Sequence, residues 1–389
     1  MIGVGRAAGP GTGRDGRATE REAWIALSQV PGIGPAGFAR LVRRFGSAGA
    51  VWAAGPAALH DVPRLGDEAA AGLERLRRAD PRTLAWSIVR ATEGAGGRVV
   101  TTLDDEYPAA LLTLDPRPPT LFVVGEQAAF EERAVAIVGT RRASGYGMAV
   151  ATELADELAR AGVVVVSGLA IGIDGAAHRA AIAAGAPSIA VLPSSIDRIY
   201  PPRHRGLARE LVRAGGALVS EIAIGAPVGR PDFARRNRII AGLSEAVVVV
   251  EAPDRSGALM TAAAAVGIGR ELYAVPGPID AMSSRGCNRL IADQQAVIVT
   301  SSASLLHHIG FSSNRQSPAV KALSEVEGQL LRHLLERSGS IEELVDRTGH
   351  SAASVASALT MLEARGLVNP FGGATFHPTL TARRLANRV

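Results

Sequence analysis

From residue 134 onward, short runs of β-branched and aliphatic residues alternate with amphipathic stretches of helical length. Runs that are apolar at every position, rather than at every second one, are typical of strands buried on both faces of a parallel sheet. The pattern therefore predicts a doubly wound, Rossmann-like, mostly parallel α/β sheet with helices on both faces. The predicted strands are AVAIVG (134–139), VVVVSG (163–168), SIAVLP (188–193), ALVSEI (217–222), AVVVVE (246–251), ELYAVP (271–276) and AVIVTS (296–301).

The segments on either side of this sheet carry different patterns. VPGIGPAGFARLV (30–42) places two glycines between helix-like stretches, which is typical of a helix-hairpin-helix whose second helix can meet a phosphate, and VPRLGDEAAAGL (62–73) is a weaker second copy. Such hairpins also serve as plain packing modules. After residue 322, three helical stretches and a short hairpin predict a winged helix, with Ser340 and Ser351 as N-caps and GG at 372–373 as the wing turn.

These patterns predict the domain organisation. The segments are a disordered tail (1–20), a helix-hairpin-helix or SAM-like domain (21–95), a Rossmann-like domain (96–310) with a proline-rich lead-in (96–130), a linker (311–321) and a winged-helix domain (322–380). A chain of 389 residues is expected to form two or three domains, and 47% apolar residues suffice to build their cores.

Composition excludes several classes of protein. Cys287 is the only cysteine, so an internal disulfide and a cysteine-rich metal site are both excluded. The first twenty residues lack the apolar core of a signal peptide, and no run of about 18 uncharged apolar residues follows them. We expect a cytoplasmic protein that inserts in no membrane and needs no metal or cofactor.

The basic residues are almost all arginine. Lys321 is the single lysine among 42 Lys and Arg residues, and the sequence pI is about 10.0 although the net charge is only +5. GC-rich codon usage can account for the arginine excess. A mild basic excess permits nucleic-acid binding without establishing it, and anion contacts in this chain would use bidentate guanidinium groups.

Ligands of an open parallel sheet bind beyond the carboxyl ends of its strands, so the turns that follow each strand are the candidate site. In the first turn, Arg141, Arg142 and Ser144 precede a predicted helix start at Gly145, which indicates a phosphate seat. Asp174 is predicted to cap the next helix. Each turn carries an arginine, a glycine or a helix start; the turns are GTRRASGYG (139–147), SGLAIGIDGAAH (167–178), PSSIDRIYPPRH (193–204), AIGAPVGRPDFARRNR (223–238) and PDRSGALMTA (253–262).

Phe233 favours a nucleic acid over a single small anion. We predict that it lies in a loop beside Arg230 and Arg236, where its ring offers a stacking face. A single strand supplies both the phosphates and the splayed bases that such a loop fits. The alternative is a buried loop anchor, with one of Arg236, Asn237 and Arg238 tying loops together while another reaches solvent.

As a set, several motifs resemble the DNA-processing protein A (DprA, or Smf) family. They are IVGTRRASGYG, VVSGLAIGIDGAAH, IDRIYP, FARRNRIIAGLS, EAPDRSGALMTA, YAVPGPID and SRGCNRLI. The resemblance implies a protein without catalytic activity that binds and protects single-stranded DNA and helps load the RecA recombinase in natural transformation. It also implies a homodimer formed through the last part of the sheet, about 286–299.

The predicted contacts follow from the turns and the resemblance together. The predicted DNA-binding residues are Gly139, Arg141, Arg142, Ser144, Ser167, Gly168, Arg230, Phe233, Arg236, Asn237, Arg238, Ser256 and Gly257. The predicted dimer residues are Asn288, Ile291 and Val297. The chain departs from the family pattern at PSS (193–195), where glycines are usual, at Ile171, where a basic residue is common, at Ala234 for proline, and at Gln294 for glycine.

Two other functions compete with DNA binding. A nucleotide or sugar-phosphate hydrolase could draw acid–base groups from Asp174, His178 and Glu251, although His178 fits a structural role better. A protein scaffold would bind partners with or without DNA. The winged helix favours protein contacts, because its expected recognition helix SAASVASALTMLEARG has no basic residue before Arg365.

Overall fold

The structure is a computed structural model, and it describes residues 18–55, 58–59, 62–63, 65–77, 80–311, 323–365, 367–371 and 375–378. The chain forms two compact units, residues 1–313 and 314–389, and the division falls in the predicted linker. Most of the predicted tail, nearly all of the linker and the Gly-Gly wing turn lie outside the described residues. The domain boundaries stay predictions.

Five described helices precede the sheet, and they contain the two hairpin motifs. They are α1 (Glu20–Ser28), α2 (Pro35–Phe45), α3 (Ala48–Ala53), α4 (Asp67–Arg77) and α5 (Pro81–Gly94). The two motifs pack on each other: a Cβ added at Gly32 would lie 2.7 Å from the backbone nitrogen of Ala69, and one at Gly72 would lie 2.8 Å from the carbonyl oxygen of Pro31. The glycines therefore allow backbone-to-backbone contact at the centre of this helical part.

The sheet has nine described strands. They are β1 (Arg98–Thr101), β2 (Thr120–Gly125), β3 (Ala134–Val138), β4 (Val164–Ser167), β5 (Ser188–Leu192), β6 (Ala217–Ser220), β7 (Ala246–Val249), β8 (Glu271–Ala274) and β9 (Val297–Ile298). Their order is β1-β2-β6-β5-β4-β3-β7-β8-β9. β3 to β9 pair in parallel, and the lead-in strands β1 and β2 are antiparallel. All seven predicted strands are present.

Helices cover both faces of this sheet. They are α6 (Gly145–Arg160), α7 (Ile173–Ala183), α8 (Arg205–Arg213), α9 (Arg230–Leu243), α10 (Gly257–Gly267), α11 (Arg285–Ala292) and α12 (Ser302–His308). Along β3, Val135 and Ile137 join the core under α6 and α7, while Ala136 and Val138 join the core under α9 and α10. Strand residues that alternate between two buried cores explain why the run is apolar at every position.

The lead-in hairpin attaches the N-terminal helices to the sheet. Phe122 in β2 is fully buried and shares one hydrophobic cluster with Ile25 of α1 and Ala85 of α5. Arg21 of α1 donates to Asp104 at 2.7 Å and to the carbonyl oxygen of Val99 at 2.8 Å. The helical part and the sheet therefore form one packed body within residues 18–311.

The C-terminal unit is a winged helix. Its elements are α13 (Glu325–Glu336), β10 (Gly339–Ser340), α14 (Ile341–Thr348), α15 (Ala352–Ala364), β11 (Val368–Phe371) and β12 (Thr375–Pro378), with a strand order of β10-β12-β11. Ser340 and Ser351 cap α14 and α15 as predicted. Arg365 contacts the buried Glu327 at 3.4 Å. The predicted fold class is thus confirmed. Within the described part of the chain, no helix combines the length and hydropathy needed to cross a bilayer.

We expect Phe122→Ala to lower the free energy of unfolding of the N-terminal unit by about 3–5 kcal/mol, because the fully buried ring joins the helical part to the sheet. Leu112→Ala is the control, since Leu112 is 44% exposed and its loss should change stability by about 0.5 kcal/mol or less. Urea unfolding followed by circular dichroism compares the two. Equal midpoints for both variants would contradict the packing described.

Candidate nucleic-acid interface

A depression lies where the strand order of the sheet reverses. Along the chain β3 is followed by its neighbour β4, whereas β7 lies on its other side, and α6 and α10 leave these strands on opposite faces. A crevice at such a point is the usual ligand site of an open α/β sheet. A cavity of about 440 Å³ occupies it, which we call the anion pocket. It is lined by Val138, Gly139, Thr140, Arg141, Arg142, Ala170, Asp174, Phe233, Arg236, Asn237, Ile240, Pro253, Arg255, Ser256, Gly257, Ala258, Met260 and Thr261.

Three of the four arginines that line the anion pocket are exposed. Arg141 and Arg142 follow β3, as predicted, and Arg255 follows β7. None of these three guanidinium groups has an ion pair or hydrogen bond within the described part of the chain. They are free to bind an anion in the pocket through charge-assisted hydrogen bonds.

Arg236 is the fourth arginine, and it is buried at the base of the pocket with 7% exposure. Its Nη1 donates to the carbonyl oxygen of Val191 at 3.0 Å, and a Cβ added at Gly168 would overlap its guanidinium group. Burial lowers the pKa of Arg236 to about 10, with Asp174 acting in the opposite direction, so it remains charged at neutral pH. Arg236 therefore ties the ends of β4 and β5 together while giving the pocket floor a positive charge.

Asp174 balances that charge. The prediction that it caps α7 is wrong. It is the second residue of the helix, whose N-cap is Gly172, and its Oδ2 accepts from the backbone N–H groups of Gly168 and Ala170 at 3.1 and 3.3 Å. Burial raises the pKa of Asp174, while Arg236 and the two N–H groups lower it. Gly168 thus serves as a packing position for Arg236, because its own N–H is already bound.

The predicted phosphate seat at the start of α6 is filled by the protein's own Glu251. The N–H and the hydroxyl of Ser144 both donate to Oε2 of Glu251, at 2.9 and 3.1 Å, and the Ser144 hydroxyl accepts from Gly147. A buried carboxylate at a helix N-terminus satisfies the free N–H groups and the helix dipole. The Ser144 groups are thus engaged by Glu251, and a DNA contact of Ser144 stays a prediction.

The N-terminus of α10 faces the pocket instead. Ser256 is its N-cap, with the hydroxyl accepting from Ala258 at 3.3 Å, and both Ser256 and Gly257 line the cavity as predicted. The carbonyl oxygen of Gly257 accepts from the amide of Asn237 at 3.3 Å. This contact fixes the start of α10 against α9.

FARRNR lies in a helix and not in the predicted loop. α9 begins at Arg230, after Gly229, whose N–H donates to Asp232 at 2.8 Å. Within α9, the positions spaced by three and four residues face the pocket; they are Phe233, Arg236, Asn237 and Ile240. Reading Pro231 as the first turn of a helix would have predicted this face.

Arg238 does not line the pocket, and its DNA contact stays a prediction. Its guanidinium group binds Glu221 at 2.7 and 2.9 Å and the carbonyl oxygen of Pro116 at 2.8 Å. Arg230 is exposed at the start of α9 but does not line the pocket. Of Arg236, Asn237 and Arg238, the first two are buried and the third is held by Glu221, so the expectation that one of the three reaches solvent is not met.

Phe233 is half-buried at the rim, where it contacts two residues from other turns. Its ring meets Tyr200 edge-on with 5.6 Å between centroids, and the guanidinium carbon of Arg141 lies 5.5 Å from its centroid. Arg141 thus makes a cation–π contact. Tyr200 is 45% exposed, so the pair leaves aromatic surface open beside the free arginines.

Two further predicted contacts serve packing. Ser167 is fully buried and donates to the carbonyl oxygen of Ile137 at 2.6 Å, so its hydroxyl is engaged within the sheet and its DNA contact stays a prediction. Gly139 lines the pocket, and a Cβ there would lie 2.5 Å from Ile173. Its role is to let the turn after β3 pass close to α7.

Sequence reasoning missed Tyr200, Arg255 and Met260. Arg255 and Met260 line the anion pocket from α10 and the turn before it, and Tyr200 lines a smaller adjoining cavity with Ile171 and Phe233. All three stand in turns that the sequence had singled out. The turns gave the region, but only the folded chain shows which side chains converge.

The three acid–base candidates do not converge on a reaction centre. His178 is fully buried with Nδ1 2.7 Å from the Ser188 hydroxyl, and burial lowers its pKa to about 3. Asp174 holds a backbone loop, and Glu251 caps a helix. No group of three His, Cys, Asp or Glu residues suited to a metal ion occurs among the described residues.

Apolar side chains are exposed on the last strand and in the segment between β8 and α11. Val297 and Ile298 of β9 are 46% and 42% exposed, and Ile279 and Met282 of that segment are 93% and 70% exposed. Asn288 faces inward, where its amide exchanges two hydrogen bonds with Gly277 at 3.0 and 3.1 Å. Ile291 packs partly on the core.

Gln294, which stands where the family usually has glycine, adopts a left-handed φ of 56°. Few residues other than glycine adopt this conformation without strain. The turn that leads into β9 therefore keeps the backbone geometry that a glycine would favour.

Comparisons with known proteins agree with this architecture. The model of DNA recombination-mediator protein A matches residues 98–310, the DprA winged helix domain matches 314–374 and the DprA-like N-terminal HHH domain matches 18–83. Protein Smf of Escherichia coli is 39% identical over 301 residues, which cover 75% of this chain and 79% of that protein.

Solved structures give the same result. The DNA processing protein A of Streptococcus pneumoniae superposes with a TM-score of 0.64 at 30% identity and covers 75% of this chain and 98% of its own. That of Helicobacter pylori, which binds single-stranded DNA, has a TM-score of 0.51 at 29% identity and covers 55% and 97%. Since one family model spans more than half of the chain and a relative at 39% identity spans three quarters of it, this chain belongs to the DprA/Smf family.

Proposed function

We propose that this protein binds single-stranded DNA in the anion pocket, protects it and helps load the RecA recombinase onto it during natural transformation or recombination. The carrying observation is the combination of three unpaired, exposed arginines with an open aromatic pair at one rim. Phosphates alone would need only the first feature, whereas a single strand also offers bases for the second. The single-stranded DNA binding of the Helicobacter pylori relative supports the same ligand.

Arg141, Arg142 and Arg255 bind phosphates in this proposal, and the start of α10 provides a further anion contact through backbone N–H groups. Arg230 extends the positive surface outside the pocket. Arg236 holds the floor and contributes charge without leaving its internal bonds. Each neutralised phosphate on a single strand contributes about −0.7 to the slope of log affinity against log salt.

Phe233 receives a base on its open face. The edge-on contact with Tyr200 fixes the ring, and Arg141 couples it to the phosphate contacts. A base stacked on an aromatic ring contributes roughly 1–3 kcal/mol and depends little on which base it is. The site is therefore suited to binding single strands of any sequence.

Binding without catalysis is the better account of the polar groups. A hydrolase would need an acid–base group within reach of its substrate, but Glu251 and His178 are buried and do not line the pocket. Asp174 does line it, but this carboxylate is buried and accepts from the N–H groups of Gly168 and Ala170. Turnover of nucleoside phosphates by the wild type that Glu251→Gln abolishes, with folding intact, would overturn this part of the proposal.

We also propose that the protein dimerises through the exposed apolar side chains of Ile279, Met282, Val297 and Ile298. Exposed large apolar side chains mark interaction sites, and β9 is a sheet edge. Two pockets on one DNA strand would bind by avidity.

The winged helix is proposed as a protein-contact module, because Arg365 is paired with Glu327 and the helix ahead of it is uncharged up to Glu363.

We expect Arg141→Ala to make the salt slope for a labelled oligo-dT strand shallower by about 0.7. Phe233→Leu should weaken binding by roughly 1–3 kcal/mol without changing the slope, since it removes stacking and keeps an apolar side chain against Tyr200. Fluorescence anisotropy over a salt series, with duplex competitor, measures both.

Arg90→Ala is the matched control for charge, since Arg90 is exposed on α5 away from the pocket. The double variant at 141 and 233 should be less than additive, because Arg141 lies over the Phe233 ring. If both single variants bound like wild type, the pocket would not be the DNA site. Pull-down of RecA without DNA would separate a pure scaffold, which retains its partner, from a protein whose RecA contact needs DNA.

We expect Val297→Arg to convert a dimer to a monomer in sedimentation velocity, because it replaces an exposed apolar side chain on the edge strand with a charge. DNA affinity should fall more than the stability of the fold does, since avidity is lost while no buried contact is removed. Leu112→Arg, at a similarly exposed apolar position, is the control. A dimer that persists in Val297→Arg would place the interface elsewhere.

A further inference from the structure

A second groove lies on the face of the sheet beside α8. It has a volume of about 460 Å³ and runs between α8 and the residue that follows α5, Ala95. Val124 of β2 and Leu218 of β6 line it, and both residues also pack against Leu207 and Leu211 of α8. The remaining apolar lining is Ile196, Ile199, Ala208 and Val212.

One wall of this groove is a stripe of arginines. Arg205, Arg209 and Arg213 are spaced by four residues, so they lie along one side of α8 with a rise of about 6 Å between neighbours. All three are exposed, and none has an ion pair or hydrogen bond among the described residues. Asp197 is the one carboxylate in the lining.

The groove continues from the proposed DNA site through a single loop. The 193–205 loop lines the small cavity beside Phe233 with Pro193, Tyr200 and Pro201, and it lines the groove with Ile196, Asp197, Ile199 and Arg205. Arg198 and Arg203 of the same loop are also exposed. A chain of positive charge therefore runs from Arg141 across this loop and down α8.

We propose that single-stranded DNA leaving the anion pocket crosses the 193–205 loop and is held by its phosphates along Arg205, Arg209 and Arg213. The inference rests on the proposed function of the pocket. A polyanion with regularly repeated charge matches a regular arginine stripe. The groove has no aromatic lining residue, so its contacts are to the sugar–phosphate chain and not to stacked bases.

The test compares short and long strands on the full-length protein. The short probe is oligo-dT of about six nucleotides, which fills the pocket alone, and the long probe has about twenty. Replacing all three arginines by glutamine should leave the short strand's affinity and slope unchanged. For the long strand, the slope of log affinity against log salt should become shallower by about 2. The ratio of its affinity at 50 mM salt to its affinity at 200 mM salt should then be about 16-fold smaller than in wild type.

The triple lysine variant is the matched control, because it keeps the charge and should retain most of the long-strand gain. A strand whose extension beyond about six thymidines is abasic should also retain it, since the stripe contacts phosphates. A glutamine variant that binds long strands like wild type would overturn the inference and would favour an acidic polypeptide as the ligand of the groove. A variant that loses affinity for short and long strands equally would also overturn it. If wild type fails to bind even the short strand, the proposed function itself fails.

Discussion

The candidate site depends on the burial of Arg236. This guanidinium group contacts the end of β5 through Val191, occupies the space left by the missing side chain of Gly168 at the end of β4, and extends from α9 beside Asp174. A buried charge is costly unless it is paired and hydrogen-bonded, so these partners are needed together. Because these three partners lie in three different segments and Arg236 in a fourth, the contacts of one arginine help to fix the positions of the turns around the pocket.

A second constraint concerns the two helix N-termini beside the pocket. One is bound by a carboxylate of the protein, and the other is open. The start of α6 is closed by Glu251, which arrives from the end of β7, and Gly147 is needed because a Cβ there would overlap that carboxylate. The start of α10 lies open in the pocket under its Ser256 cap. Two adjacent helix N-termini at one sheet edge therefore have opposite roles, and the internal carboxylate leaves the ligand only one of them.

Arg141 and Arg255 of the pocket follow strands of the sheet. The surface proposed to extend the site is one face of α8. Arg141 and Arg255 follow strands whose ends are held by the sheet, and Phe233 is fixed between Tyr200 and Arg141. The arginines of α8 stand on a helix that is anchored by Leu207 and Leu211 in a separate core cluster. In the proposed path, single-stranded DNA passes from stacking on Phe233 to electrostatic contacts along α8, and no change in the protein backbone is required.

The sequence by itself determined the sheet, the covering helices, the flanking helical modules and the family. Runs that are apolar at every position, such as VVVVSG, require burial on both faces, and the glycine and arginine content of the turns marks the ligand edge. Local patterns of this kind need no knowledge of distant residues, which is why all seven predicted strands are present.

Only the tertiary structure decided which polar groups are free. Ser144 and Glu251 are 107 residues apart, and nothing in either turn indicates that Ser144 donates hydrogen bonds to Glu251. Arg236 and Arg238 differ by two positions, yet helical geometry directs one into the pocket and the other to Glu221. A side chain's availability depends on partners brought together by folding, because the desolvation of each charge is compensated between elements and not within them.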